Sequence, residues 1–267
     1  MARVDELVDG IYSTCTTVEL PDTEFQFNQF LIDDVRPALI HTGMYGLYEG
    51  VRDGVAEVLD RGKLEYVILL HFEADENGGM DRFLEGAPNS TLACSALSSI
   101  LNLSGWNYAG RVEGHTDGEV VDLGKHKLRW LETPHVHHWD SMMLFDETTK
   151  SVFPSDLFIQ PGDQPPVVTE NLGSTMCEYY RQIGIFAHDQ PVRDVVGRIE
   201  ALDPDWIHGM HGGSLGRETI PHFIRALREE SVGYQGKLLG RDVLPNREPS
   251  YEVHAVRPHE RAIPRVL

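Results

Sequence analysis

Cysteine is scarce: the chain has three, Cys15, Cys94 and Cys177, odd in number and far apart. That excludes a disulfide framework and any C-x-x-C metal or redox motif, and the three thiols are expected to be reduced and buried. Long apolar runs are missing too. No stretch of about 18 uncharged apolar residues occurs, which excludes a membrane-spanning helix. The opening MARVDELVDGIYS carries acids where a secretory leader has a basic and then an apolar segment. A cytoplasmic protein without a membrane partner is expected. Basic residues are also few, 23 against 42 acidic ones, for a formal charge of -19. Such a chain repels phosphate backbones, so nucleic acid is not an expected partner. The acidic balance fits solubility, a salty cytoplasm or docking to a basic redox partner without choosing among them. There is no internal repeat, no low-complexity tract and no G-x-G-x-x-G fingerprint for a dinucleotide or flavin.

What is present reads as strands mixed with helices. FQFNQFLID (25–33) and PALIHTG (37–43) are apolar segments bounded by Asp, Pro and Gly, as sheet strands are. In 50–62, Val51, Val55 and Val58 recur at helical spacing and Gly62 supplies a stop. YVILL (66–70) is a continuous β-favouring run, the mark of a strand buried on both faces. A helix follows near 80–86, then strands in STLACS, VVDLG and KLRWLETP, and a hairpin in SMMLFDETTKSVFPSDLF turning at DETTK. Segment 160–174, rich in Pro and Gly, predicts a surface loop, and helical spacing returns over 175–202, with Pro191 opening a second helix. One domain over 1–231 is expected, with 232–267 as an arm or tail. Hairpins among helices point to an α/β sandwich of mixed sheets rather than a doubly wound parallel one.

Four segments carry residues able to hold metal. In HFEADE, His71, Glu73 and Asp75 alternate, and extended backbone would put all three on one face, with Glu76 on the other unless a loop turns it back. In TPHVHHWDS, His135 and His137 would share a strand face opposite His138. Asp156 in SVFPSDLF has two oxygens and can bridge two cations; taken alone it reads as a turn or cap residue. In IHGMHGG, glycines beside His211 allow close backbone approach, and either His208 or His211 can be the ligand.

Together, H-x-E-x-D, His, Asp and His at the ends of four strands resemble the metallo-β-lactamase superfamily over roughly residues 8–215, which implies an αββα sandwich of two mixed β-sheets flanked by helices. Zinc hydrolases of that superfamily usually show H-x-H-x-D-H. Glu73 in the middle position resembles instead the di-iron branch, the flavodiiron proteins and stand-alone oxygen-binding di-iron proteins. FNQFLI (27–32), ETP before His137, DSM (140–142), Ser155-Asp156 and HGG from His211 support that likeness. It implies that His71, Glu73 and His137 hold one iron, Asp75 and His211 the other, and that Asp156 bridges them. Carboxylates in place of imidazole make a site harder, suiting iron or manganese better than zinc. The branch usually has a histidine after the Asp of H-x-E-x-D, where this chain has Glu76, either a substitute oxygen ligand or a residue that turns away and leaves a weak second site. His138 is expected to line the pocket.

The resemblance implies a protein that binds and reduces oxygen or nitric oxide. The flavodoxin domain of the flavodiiron relatives is not expected in a chain of this length. Electrons would come from an external flavodoxin, rubredoxin or flavin reductase; FMN could be supplied by a partner, and the resemblance implies a homodimer, with the segment from about 232 a candidate for its contact. Phe72, Trp139, Tyr45, Tyr179 and Tyr180 are either pocket lining or ordinary core. Two other functions are compatible with the fold: a metal-dependent hydrolase of an ester, thioester, lactone or phosphoester, and a non-enzymatic oxygen sensor.

Overall fold

The computed structural model describes residues 2–20, 23–106 and 108–242. The first sheet runs in chain order: β1 (Arg3–Val8), β2 (Ile11–Leu20), β3 (Thr23–Ile32), β4 (Ala38–Ile40), β5 (Tyr66–Ile68), β6 (Thr91–Ser95) and β7 (Val112–His115). Pairing is antiparallel from β1 to β4 and parallel from β4 to β7. Parallel neighbours need crossovers, which here contain α1 (Tyr48–Val58), then α2 (Ala74–Asn77) with α3 (Met80–Gly86), then α4 (Ala96–Trp106).

The second sheet contains β8 (Val120–Asp122), β9 (Lys127–Glu132), β10 (Met142–Asp146), β11 (Ser151–Phe153), β12 (Val167–Val168), β13 (Trp206–Ile207) and β14 (Ser214–Gly216), in the order β12-β14-β13-β11-β10-β9-β8. Its outer face is covered by α5 (Gly173–Ile183), α6 (Asp189–Leu202) and α7 (Ile220–Glu229). These are two seven-stranded mixed sheets between helical layers, the sandwich expected.

Period-two alternation builds the three apolar layers. Phe30, Ile32, Ile40, Ile68, Leu70, Trp130, Leu144 and Phe153 fill the space between the sheets. Their neighbours Leu31, Leu39, Val67 and Leu69 face the other way, against Val51 and Val55 of α1 and Phe83 of α3. YVILL is therefore buried on both faces, but only its first three residues are paired as strand. Full burial of each large side chain contributes roughly 1.5–3 kcal/mol. Cys15, Cys94 and Cys177 are free and buried, as expected, and burial pushes their thiols up to about 11, 12 and 12.

Residues 232–242 stay on the sandwich. Val232 is in the core, Tyr234 donates its backbone N–H to Phe186, and β15 (Lys237–Leu238) with β16 (Arg241–Asp242) forms a small hairpin whose turn meets the end of α5. The remainder of the expected arm, 243–267, lies outside the described residues. Among the described residues no helix is long and apolar enough to cross a membrane.

Candidate metal centre

Strand direction explains why the four segments meet. In the second sheet β9 and β11 each run antiparallel to β10, and β13 runs parallel to β11, so β9, β11 and β13 all end on one edge. His137, Asp156 and His211 follow those three ends. His71, Glu73, Asp75 and Glu76 follow β5 of the facing sheet, and the Met142 N–H donates to the Leu70 carbonyl at 2.7 Å, joining the sheets there.

His71, Glu73, His137 and Asp156 form one cluster of donor atoms and Asp75, Glu76 and His211 a second, each with its atoms within 4.8 Å of one another. His71 Nε2 lies 3.2 Å from Glu73 Oε2 and 2.8 Å from Glu76 Oε2. His137 Nε2 stands 3.0 Å from both Glu73 Oε2 and Asp156 Oδ2. On the other side His211 Nε2 is 3.3 Å from Glu76 Oε1, 3.5 Å from Asp156 Oδ1 and 3.9 Å from Asp75 Oδ2. Donors around one ion, with bonds of about 2.1 Å, stand about 3 Å apart, so these spacings suit two adjacent ions.

The ring nitrogens pointing away from the cluster are held. His211 Nδ1 donates to the Gln26 carbonyl at 2.8 Å, and His71 Nδ1 lies 2.6 Å from Ser155 Oγ. Each partner orients its imidazole with Nε2 toward the cluster, as metal-ligating histidines require. Asn28 Nδ2 donates to the carbonyls of Gly209 and Gly212, tying the His211 loop to β3, and Asn77 Nδ2 donates to the His71 carbonyl.

The buried electrostatics call for cations. Oxygens of Asp75, Glu76 and Asp156 are buried with little beyond the cluster's own imidazoles to meet them, a costly state for carboxylates. Burial, reinforced by the charge of Glu76, pushes Asp75 up to about 7. Hydrogen bonds from His137 and His71 hold Glu73 well below the usual carboxylate range. Burial opposes the charge of His137, yet Asp156 and Glu73 push it up to about 9. Protons on the imidazoles neutralise the carboxylates in part; two divalent ions would do so more fully, and the carboxylate and imidazole donors fit iron or manganese.

Two local expectations are corrected. HFEADE is not extended throughout: after Glu73 the chain turns into α2, whose N-terminal turn carries Asp75 and Glu76. Helical curvature therefore brings Glu76, only 2% exposed, round to the same site as His71. TPHVHHWDS is likewise a turn rather than a strand: His135 is exposed, whereas His137 and His138 both approach Glu73. His138 stands off at 3.8 Å from Glu73, half-buried and facing Asp140. Of the two alternatives in IHGMHGG, His211 enters the cluster, while His208 is bound in the core by Ser151 and Ser214.

The sequence alone gives His41, Gln26 and Asn77 no role, and Asn28 and Ser155 enter only as parts of motifs. His41 is buried behind His71, and burial pushes it down to about 4. Only FNQF and the Ser beside Asp156 offered a hint, since Gln26 acts through its carbonyl and Asn28 and Asn77 through contacts with backbone. Beside Glu73 a cavity of about 350 Å³ is lined by Tyr45, Phe72, Met80, Asn77 and Trp106. Tyr180 is core, its hydroxyl donating to the Asp156 carbonyl at 2.9 Å, and Trp139 is exposed outside that cavity.

An αββα sandwich with paired carboxylate and imidazole clusters at the meeting edge of its sheets has the metallo-β-lactamase fold. Residues 25–212 match the model of the ODP family beta lactamase, and the chain belongs to that family. The match spans all seven cluster residues. The chain is 30% identical over 166 residues to the rubredoxin-oxygen oxidoreductase of Megalodesulfovibrio gigas, covering 59% of this chain and 40% of that protein. It is also 30% identical over 138 residues to the anaerobic nitric oxide reductase flavorubredoxin of Pectobacterium atrosepticum, covering 50% and 27%. The crystal structure of the flavodiiron protein from Giardia intestinalis superposes with a TM-score of 0.75 at 20% identity, over 85% of this chain and 58% of that one. The chain spans about half or less of the length of the curated relatives it matches.

Proposed function

We infer that the two clusters hold a pair of iron ions and that the protein binds oxygen or nitric oxide there and reduces it with electrons from a separate donor. His71, Glu73 and His137 would hold one ion, Asp75, Glu76 and His211 the other, with Asp156 between them. The observation that carries this reading is Asp156: buried, it directs one oxygen toward His137 and the other toward His211. An iron pair, when bound, would supply the one-electron redox chemistry that reduction of a diatomic molecule needs. The family membership and the names of the relatives support the same chemistry.

The protein's own residues have distinct parts in it. Ser155 and the Gln26 carbonyl hold His71 and His211 with Nε2 inward. Phe72, Tyr45 and Trp106 line the cavity beside Glu73. Reduction of either gas consumes protons, and His138, between solvent and Glu73, is placed to pass them inward. A flavodoxin, rubredoxin or flavin reductase would donate the electrons, with FMN from a partner and a second copy of the chain completing the path.

The test is gas consumption by protein loaded anaerobically with iron and supplied with a chemical or flavin reductant, against the zinc-loaded form. Iron-loaded protein should consume oxygen or nitric oxide, zinc-loaded protein neither, and Asp156→Asn should lower the rate at least about tenfold. A zinc form that cleaves esters, lactones or phosphoesters beside an inert iron form would move the site to hydrolysis. A conformational change on oxygenation without turnover would make it a sensor.

A further inference from the structure

We propose that Glu76 is a second bridging carboxylate, spanning the two ion positions alongside Asp156, and that it makes the second position oxygen-rich and selective against zinc. This rests on the two-ion reading above. Glu76 presents Oε2 to His71 at 2.8 Å and Oε1 to His211 at 3.3 Å, one oxygen to each cluster. Asp156 has the same disposition, with Oδ2 3.7 Å from His71 and Oδ1 3.5 Å from His211. Both Glu76 oxygens are buried, and among the described residues the ion-pairing groups near them are those two imidazoles.

The backbone holds this side chain in place. The Glu76 carbonyl accepts the N–H groups of Thr42 and Gly43 at 2.6 and 2.9 Å and the Thr42 hydroxyl at 3.1 Å, so the first turn of α2 is clamped to the end of β4. A purely structural buried acid would be expected to meet Lys, Arg or backbone N–H groups, whereas among the described residues Glu76 meets two imidazoles that each also face another cluster carboxylate.

The consequence is asymmetry between the two positions. The first keeps two imidazoles, His71 and His137; the second has one, His211, against the carboxylates of Asp75, Glu76 and Asp156. Exchange of imidazole for carboxylate shifts a site from zinc toward iron and manganese.

The experiment loads the full chain anaerobically with equal iron(II), manganese(II) and zinc(II), removes loosely held metal, and counts ions per chain for the parent, Glu76→Gln and Glu76→His. The parent should hold two ions with little zinc, and Glu76→Gln one, bound at least tenfold more weakly than the parent's tighter ion. Glu76→His should hold two with an increased share of zinc. A second measurement needs no metal: without ions, Glu76→Gln should keep the parent's far-ultraviolet circular dichroism and a cooperative melt, so that ion loss reads as ligand loss and not as unfolding. Two ions retained equally tightly in Glu76→Gln overturn the proposal. Loss of the second ion with the first unweakened overturns the bridge, and an unchanged zinc share in Glu76→His overturns the selectivity. A parent chain that binds no ion at all would instead defeat the two-ion reading itself.

Discussion

His137 and His138 are adjacent, yet their distances from the cluster separate them. His137 Nε2 is 3.0 Å from both Glu73 and Asp156, whereas His138 comes no nearer than 3.8 Å to Glu73 and remains partly in solvent. Substitution His137→Ala should therefore cost the chain one bound ion, while His138→Ala should leave the ion count unchanged and slow turnover; metal analysis and a rate assay on the same samples distinguish the two. Equal ion loss in both variants would make His138 a ligand. The three histidines of TPHVHHWDS were recognisable in the sequence as a cluster, but not their ranking. That ranking depends on a turn where strand alternation had been expected.

At the scale of elements, the site depends on how loops are fastened to strands. Asn28 sits on β3, in the opposite sheet from the loop that carries His211, and its amide donates to Gly209 and Gly212 at 3.0 and 2.6 Å. Asn28→Ala should leave two buried carbonyls short of a donor, at about 1–3 kcal/mol each, and loosen His211. The expected outcome is a lower urea midpoint together with weaker binding of the second ion. A lower midpoint with unchanged ion affinity would mean that the loop holds its shape without the clamp. Elsewhere the sequence carried signals that match the elements formed. In α7, Ile220, Phe223, Ile224 and Leu227 are buried at i, i+3, i+4 and i+7 behind Pro221, a helical spacing present in the chain although no helix was expected there. The hairpin of β1 and β2 was less legible, because β2 (IYSTCTTVEL) mixes small polar residues into its buried positions, with Ser13 and Thr14 both inside.

For the whole molecule, buried neutral histidines tie stability to pH. His208 is enclosed by Ser151 and Ser214 at the core side of β13, and burial pushes it down to about 3 from an ordinary 6.5. Its folded value is depressed, so the unfolded chain binds the extra proton first: stability is full above about pH 6.5 and declines as the pH falls toward 3. Between pH 6.5 and 5 this one group should cost about 2 kcal/mol. Asp75, pushed up to about 7, acts in the opposite sense over the same window, so the readout is the difference between the parent and His208→Asn: urea denaturation should show the parent losing about 2 kcal/mol relative to the variant between pH 6.5 and 5. A difference that does not change with pH would mean that His208 titrates normally.

The sequence by itself determined the class of fold, the order of the candidate ligands and the hardness of the site. Apolar alternation, helical spacing and residue chemistry are local properties, readable wherever neighbours in the chain are also neighbours in space. Glu73 within H-x-E-x-D is the plainest case. Only the tertiary structure decided which way Glu76 turns, which of His208 and His211 joins the cluster, and which groups orient the rings. His211 is held by Gln26 and His71 by Ser155, partners 185 and 84 residues away along the chain. Those contacts exist because β5 of one sheet and β9, β11 and β13 of the other end at a common edge, and no local pattern in the chain encodes that juxtaposition.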